Sequence, residues 1–298
     1  MSMSEMMTQM ADKGGFIAAL DQSGGSTPGA LKLYGIPESA YSNEEEMFAL
    51  MHEMRARIIT APCFSGDKVI GAILFERTMD GEIQGVPTPR YLWRERGVVP
   101  FVKIDKGLEA ENDGVRLMKP MPGLDDLLAR AAGLGVFGTK ERSVIRLPSE
   151  TGIAAIVRQQ FEVGEQVRKH GLVPILEPEV LIDSPDKKKA EQMLHDAIAA
   201  EIEKLPSDAR IMLKLTIPEV AGLYDNLARD ERIVRVVALS GGYPLDDACE
   251  RLSHNRLMIA SFSRALIGDL RHEMDEKQFD DTLAIAVNKI YKASVDKV

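Results

Sequence analysis

The sequence predicts an α/β fold, a (β/α)8 barrel of the TIM-barrel type, in a single domain over residues 1–298. Three observations carry the prediction. Short apolar runs recur along the chain, amphipathic stretches separate them, and the runs end on charged or hydroxyl-bearing residues. The runs are too short for helices and lack the apolar–polar alternation of a half-solvated sheet, so they fit parallel strands buried on both faces. Strands alternating with helices over ~250 or more residues are the pattern of a barrel. The alternative, an open doubly wound sheet, usually has a glycine-rich phosphate turn after its first strand. Gly24, Gly25 and Gly29 follow the first run here without the dinucleotide-binding spacing.

The elements follow in order. Residues 1–13 form an extension, flexible or helical. "FIAAL" (16–20) is the first strand. Ser42 to Glu45 reads as a capping box leading into a helix whose buried stripe is Met47, Leu50, Met51 and Met54. "VIGAILF" (69–75), "VVPFVKI" (98–104) and "GVFGT" (135–139) are the next three strands. Ile153, Ile156, Val157 and Gln160 start a helix that Gly171 closes after His170. "GLVPILE" (171–177), "RIMLKL" (210–215) and "IVRVVAL" (233–239) follow. Leu245, Ala248 and Leu252 mark a helix, "LMIASF" (257–262) is the eighth strand, and a final helix runs from about 275 to 293.

Composition narrows the function. Apolar residues make up 45% and charged residues 28%, which excludes a disordered chain. A net charge of −9 with no long basic stretch disfavours nucleic acid or an anionic membrane as partner. No apolar run approaches the ~18 residues of a membrane span. The N-terminus lacks the basic and apolar regions of a secretory signal, and two cysteines, Cys63 and Cys249, make no disulfide framework, so a cytoplasmic location is expected. The runs Glu44–Glu46 and Lys187–Lys189 are expected to be solvated helix ends.

In a barrel the C-terminal strand ends converge on one mouth. Here they carry Asp21; Glu76; Lys103 and Asp105; Lys140 and Arg142; Glu177 and Glu179; Lys214; Ser240, Gly241 and Gly242; and Ser263 and Arg264. Any one of these suits an ordinary chain exit from the core, but eight ends together suit a site. Lys214 lies inside the apolar stretch "IMLKLTIP", where a lysine needs a partner or a task. An amine desolvated there beside Lys103 and Lys140 becomes nucleophilic near neutral pH and condenses with a ketone to a Schiff base; the alternative is a buried ion pair. Glu177 and Glu179 flank Pro178, and either suits general acid–base work unless both serve only as partners of Lys140, Arg142 or Lys214. The bare amides of Ser240, Gly241 and Gly242, with Ser263 and Arg264 from the next strand, read as an anion site. The five histidines show no metal-ligand spacing near a strand end, so no metal is expected.

The segments "AALDQSGGST", "ILFE", "PFVKIDKG", "GTKERS", "GLVPILEPEV", "LKLTIP", "LSGGY" and "ASFSRAL" resemble class I fructose-bisphosphate aldolases, in particular the shorter bacterial form, in order from about Gly14 to the C-terminus. The resemblance implies reversible, metal-independent cleavage of fructose 1,6-bisphosphate to dihydroxyacetone phosphate and glyceraldehyde 3-phosphate, with no cofactor beyond a Schiff base on Lys214. It implies Glu177 as general acid/base and Asp21 as the group handling the C4 hydroxyl proton. Lys103 and Lys140 would orient Asp21 and assist carbinolamine formation. Arg142 matches a residue near the 6-phosphate end, Ser240, Gly241 and Arg264 match the 1-phosphate site, and Ser23 and Ser26 match residues near the other phosphate. The chain departs from the animal-type pattern at Glu141, which stands in place of a tryptophan, at Lys32, near a phosphate-binding arginine, and at Ser263, in place of a glycine. It also ends at "YKASVDKV" without that type's functional tail, which passes a proton transfer to Glu177, solvent or Tyr291. The expected partner is a small sugar bisphosphate, with a homo-oligomer possible. The rival readings are a Schiff-base aldolase for another ketose bisphosphate, such as tagatose 1,6-bisphosphate, and a non-catalytic sugar-phosphate-binding barrel.

Overall fold

The computed structural model describes residues 2–23 and 27–298. Eight strands, β1 (Phe16–Leu20), β2 (Val69–Leu74), β3 (Val99–Lys103), β4 (Gly138–Ile145), β5 (Val173–Val180), β6 (Ile211–Thr216), β7 (Ile233–Leu239) and β8 (Met258–Ala260), pair in sequence order. Every pair among them is parallel. The Ala19 N–H donates to the Phe262 carbonyl at 3.2 Å and brings the last strand back to the first. Helices occupy the connections, as the expected (β/α)8 barrel requires. No described helix is long and apolar enough to cross a membrane.

The apolar residues form two clusters, as inward and outward faces of a closed sheet dictate. The larger fills the space between strands and helices. The smaller fills the barrel's lumen with Ile17, Ile73, Phe101, Phe137, Ile175, Met212, Val237 and Ile259. Residues 3–12 are helical: α1 (Met3–Asp12) seals the N-terminal end, with Met6 and Met10 joining the lumen cluster. Gln9 donates to the carbonyls of Ile70 and Gly97 at 2.8 Å each. Arg235 donates to the carbonyls of Met10, Ala11 and Lys13, satisfying acceptors that a helix C-terminus leaves open.

Three local expectations shift. The N-cap of the helix Glu44–Thr60 is Asn43 rather than Ser42: the Glu46 N–H donates to its side chain, and the Ser42 N–H donates to the Glu46 carboxylate. Strand β4 starts at Gly138 and runs to Ile145, so Lys140 and Arg142 lie within a strand and not beyond its end. Strand β5 continues through Pro178 to Val180, so Glu177 and Glu179 share one face. Pro178 is tolerated because β5 pairs with β6 only at Ile175 and Leu176, and the missing N–H takes nothing from that ladder.

Alternation in β4 sends Lys140 and Arg142 to the mouth and Glu141 to the helix layer, against Gln160 of the helix Glu150–Lys169. Gln160 Nε2 donates to the Glu141 carbonyl at 3.2 Å and to Ser143 Oγ at 2.5 Å. Thr139 Oγ1 donates to Glu141 Oε2 at 3.3 Å, while Glu141 Oε1 has no hydrogen-bond partner among the described residues. Burial pushes the Glu141 carboxyl well above the usual carboxylate range; Thr139 and Lys140 oppose this only in part. The unfolded chain therefore releases this proton near pH ~4.3 while the folded chain keeps it, and stability falls as pH rises above that value. Glu141→Gln removes this loss. Its advantage over the wild type in urea denaturation is expected to be larger at pH 8 than at pH 5, and an equal difference at both would mean that ionisation is not the cause. Met10→Ala, which empties the bottom of the lumen, is expected to cost about 2–5 kcal/mol in the same measurement.

Candidate active site

Above the lumen's apolar layer, the C-terminal halves of the strands turn polar around a cavity of about 990 Å³. The charged side chains there form a connected set. Lys140 Nζ, from β4, lies 2.6 Å from Asp21 Oδ2 after β1 and 2.8 Å from Glu177 Oε2 of β5. Lys214 Nζ, from β6, lies 3.0 Å from the other carboxylate oxygen of Glu177. Arg142 Nε donates to Glu179 Oε2. Lys103 pairs with Asp105 at 2.7 Å, and Asp105 also accepts the Arg142 backbone N–H at 3.2 Å. Asp21, Lys140, Glu177 and Lys214 are all buried.

Burial and charge compete in this set, and charge prevails. Burial would raise the Asp21 carboxyl, but the Lys140 ammonium, followed by Lys214 and Lys103, holds it well below the usual range. Burial would likewise raise Glu177, and Lys140 and Lys214 hold it low. Burial would lower Lys140, but Asp21 and Glu177 drive it well above the ordinary lysine range. Lys140 is therefore a fixed cation that keeps two carboxylates ionised.

The turn after β7 is built for backbone approach. Gly241 and Gly242 have φ of 61° and 120°, where side chains are strained. A Cβ on Gly241 would sit 2.5 Å from Ile182 Cγ2. An ideal Cβ on Gly242 would lie 3.3 Å from Arg264 Nη2, so the glycine turn and the arginine after β8 face one space.

Most of the residues expected from the sequence meet here. Asp21, Ser23, Lys103, Lys140, Arg142, Glu177, Glu179, Lys214, Ser240, Gly241, Ser263 and Arg264 line one cavity, and Gly242 adjoins it through Arg264. Ser26 lies outside the described residues. Glu76 goes elsewhere: it pairs with Lys106 at 2.6 Å and Arg130 at 2.5 Å on the far side of the β2–β3 connection. Lys103 does not touch Asp21; its direct partner is Asp105, and it acts on Asp21 only through the field. Lys32 is exposed and does not line the cavity, and Tyr291 packs into the helix layer instead.

The sequence reading missed Gln22, Arg55 and Arg116. Gln22 Nε2 donates to Ser263 Oγ at 2.6 Å, tying the loop after β1 to that after β8. Arg55, fully buried on the helix Glu44–Thr60, donates to the Gln22 carbonyl at 2.5 Å and to Thr78 Oγ1 at 2.7 Å. Burial lowers this guanidinium to about 10 despite nearby Asp21. The signal for Arg55 is its position four residues after Met51, where it continues the buried stripe of that helix. Arg116 lies in a two-residue strand, Val115–Arg116, within a polar connection that no periodicity marks.

Among the described residues no group of three or more His, Cys, Asp or Glu side chains is placed to hold a metal. Kinship with known proteins fits the geometry. A family model described as "Glycolytic: Fructose-bisphosphate aldolase class-I" matches residues 2–222. The chain is 51% identical over 291 residues to a protein of Porphyromonas gingivalis named fructose-bisphosphate aldolase class 1, covering 98% of this chain and 99% of that one. It also resembles the solved fructose-bisphosphate aldolase of Plasmodium falciparum in complex with TRAP and a small-molecule inhibitor. That match has a TM-score of 0.74 at 21% identity and covers 99% of this chain and 94% of the other, a likeness of fold. The buried lysines, paired carboxylates and glycine turn thus sit on a chain that belongs to the class I fructose-bisphosphate aldolase family.

Proposed function

We propose that the chain cleaves fructose 1,6-bisphosphate reversibly through a Schiff base on Lys214. The observation that carries this reading is the contrast between two buried lysines on one carboxylate. Lys140 is clamped by Asp21 and Glu177 as a permanent ammonium, whereas Lys214 has Glu177 alone. Lys214 is thus the less tightly paired of the two amines and the one assigned to attack a ketone. Its nitrogen bonds to C2 of the open-chain sugar. Glu177, with one oxygen 3.0 Å from that nitrogen, relays the proton that lets water leave as the iminium forms.

Asp21 stays ionised beside Lys140. It takes the C4 hydroxyl proton as the C3–C4 bond breaks and the electron pair moves to the iminium. Because Lys140, Lys214 and Lys103 lower its basicity, this transfer is driven by bond cleavage rather than preceding it. The resulting enamine is reprotonated at C3, and hydrolysis frees Lys214 and dihydroxyacetone phosphate. Glu177 is the placed acid for that step, since Tyr291 is remote from the cavity. Lys140 and Lys103 supply field. Glu179 fixes Arg142 at the mouth, and the glycine turn with Ser240, Ser263 and Arg264 takes the phosphate next to the ketone. Ser23 lines the same cavity, and the family resemblance assigns Ser23 and Ser26 to the other phosphate. All eight strand ends but that of β2 serve one cavity, which supports a single domain over residues 1–298. Two half-buried free thiols, Cys63 and Cys249, suit a reducing cytoplasm.

Borohydride reduction in the presence of dihydroxyacetone phosphate is expected to leave a stable adduct on the Lys214 peptide. Lys214→Met should abolish both adduct and turnover, and EDTA should leave turnover intact. An unmodified Lys214 peptide, or inactivation by chelator, would refute the mechanism. Faster cleavage of tagatose 1,6-bisphosphate than of the fructose isomer would move the substrate assignment and leave the chemistry in place. Glu177→Gln is expected to lower kcat by about 10²–10⁴-fold, with the slowest step moved to Schiff-base formation or hydrolysis.

A further inference from the structure

Six cationic side chains line the cavity, Lys103, Arg116, Lys140, Arg142, Lys214 and Arg264, against four carboxylates, Asp21, Asp105, Glu177 and Glu179. Four of the cations are matched by those carboxylates. Among the described residues Arg116 and Arg264 form no ion pair. The mouth of a chain with net charge −9 therefore carries a local excess of two positive charges, both on guanidinium groups. Guanidinium is the side chain suited to bidentate phosphate contact.

These two groups stand across the barrel from each other. Arg264 starts the short helix Arg264–Ile267 that follows β8. Arg116 belongs to a two-residue strand, Val115–Arg116, that pairs antiparallel with the end of β4, Arg116 opposite Val144. In a ring of eight strands the fourth and eighth are diametrically opposed. Arg116 is half-buried, and its Nε donates to the Glu109 carbonyl at 2.8 Å, which fixes the plane of the guanidinium and engages none of its terminal nitrogens. The segment after β1 offers no competing cation, because Gly29, Ala30, Leu33 and Tyr34 line the cavity and Lys32 does not.

We infer that Arg116 binds the phosphate at the far end of the substrate, the 6-phosphate, and thereby sets the preference for ketose bisphosphates over ketose 1-phosphates. The inference rests on the aldolase reading above. With the ketone at Lys214 and the adjacent phosphate at the turn after β7 and Arg264, the rest of the sugar extends past Asp21 and Lys140 toward the β4 side of the mouth.

Steady-state cleavage of fructose 1,6-bisphosphate and fructose 1-phosphate by the wild type, Arg116→Ala and Arg116→Lys tests it. Arg116→Ala is expected to lower kcat/KM for the bisphosphate about 10- to 100-fold, mainly through KM. The value for the monophosphate should change much less, and Arg116→Lys should recover part of the selectivity. Equal losses on both substrates in both variants, or no loss on either, would overturn the inference. A wild type that cleaves neither sugar would instead overturn the reading on which it rests.

Discussion

Lys140 is held between Asp21 on one side and Glu177 on the other, all three side chains buried, and the site depends on that clamp. It joins β4 to the end of β1 and to β5, and through the second oxygen of Glu177 it reaches β6. Removing charge from one member leaves the others buried and unmatched, a cost of about 3–5 kcal/mol for a broken buried pair. A well-packed apolar substitute for the whole set would not be weaker. The cluster is thus a poor source of stability and an effective way to fix protonation states, which is what amine chemistry needs.

The scaffold makes this arrangement affordable by separating two environments along one axis. At the N-terminal end, the lumen is filled with aliphatic and phenyl side chains and sealed by Met6 and Met10 of α1. One layer higher the inward positions become charged. Because strand residues alternate, a single step along β4 changes the fate of an ionisable group. Lys140 and Arg142 meet carboxylates at the mouth, while Glu141 meets only Thr139 in the helix layer and keeps its proton.

The barrel itself was legible because eight apolar runs buried on both faces need no tertiary information to be seen. The strand ends were less so. By apolar content alone the fourth and fifth runs stop at their first charged or proline-adjacent residues, yet β4 continues through Lys140, Glu141 and Arg142, and β5 through Glu177, Pro178 and Glu179. The charges of Lys140, Arg142, Glu177 and Glu179 are tolerated because they pair with one another between β4 and β5 and with Asp21, and no local pattern records a partner dozens of residues away. The same reason explains Lys103: its charge was visible, and its choice of Asp105 over Asp21 was not. Glu76 looked equivalent to the other strand ends, but Arg130 and Lys106 draw it outward.

Charge counting across the mouth links these observations to specificity. If every cation in the cavity had been free, phosphate affinity would be diffuse and the carboxylates would have no fixed role. Instead Asp21, Asp105, Glu177 and Glu179 consume four cations in contacts of defined geometry, and the surplus resides on two arginines separated by the width of the barrel. A ligand with one anionic group satisfies one of them; a ligand with an anionic group at each end satisfies both and spans the clamped lysine between them. The same pairing that fixes protonation states at the centre therefore also determines, by what it leaves over, where the two ends of the substrate must lie.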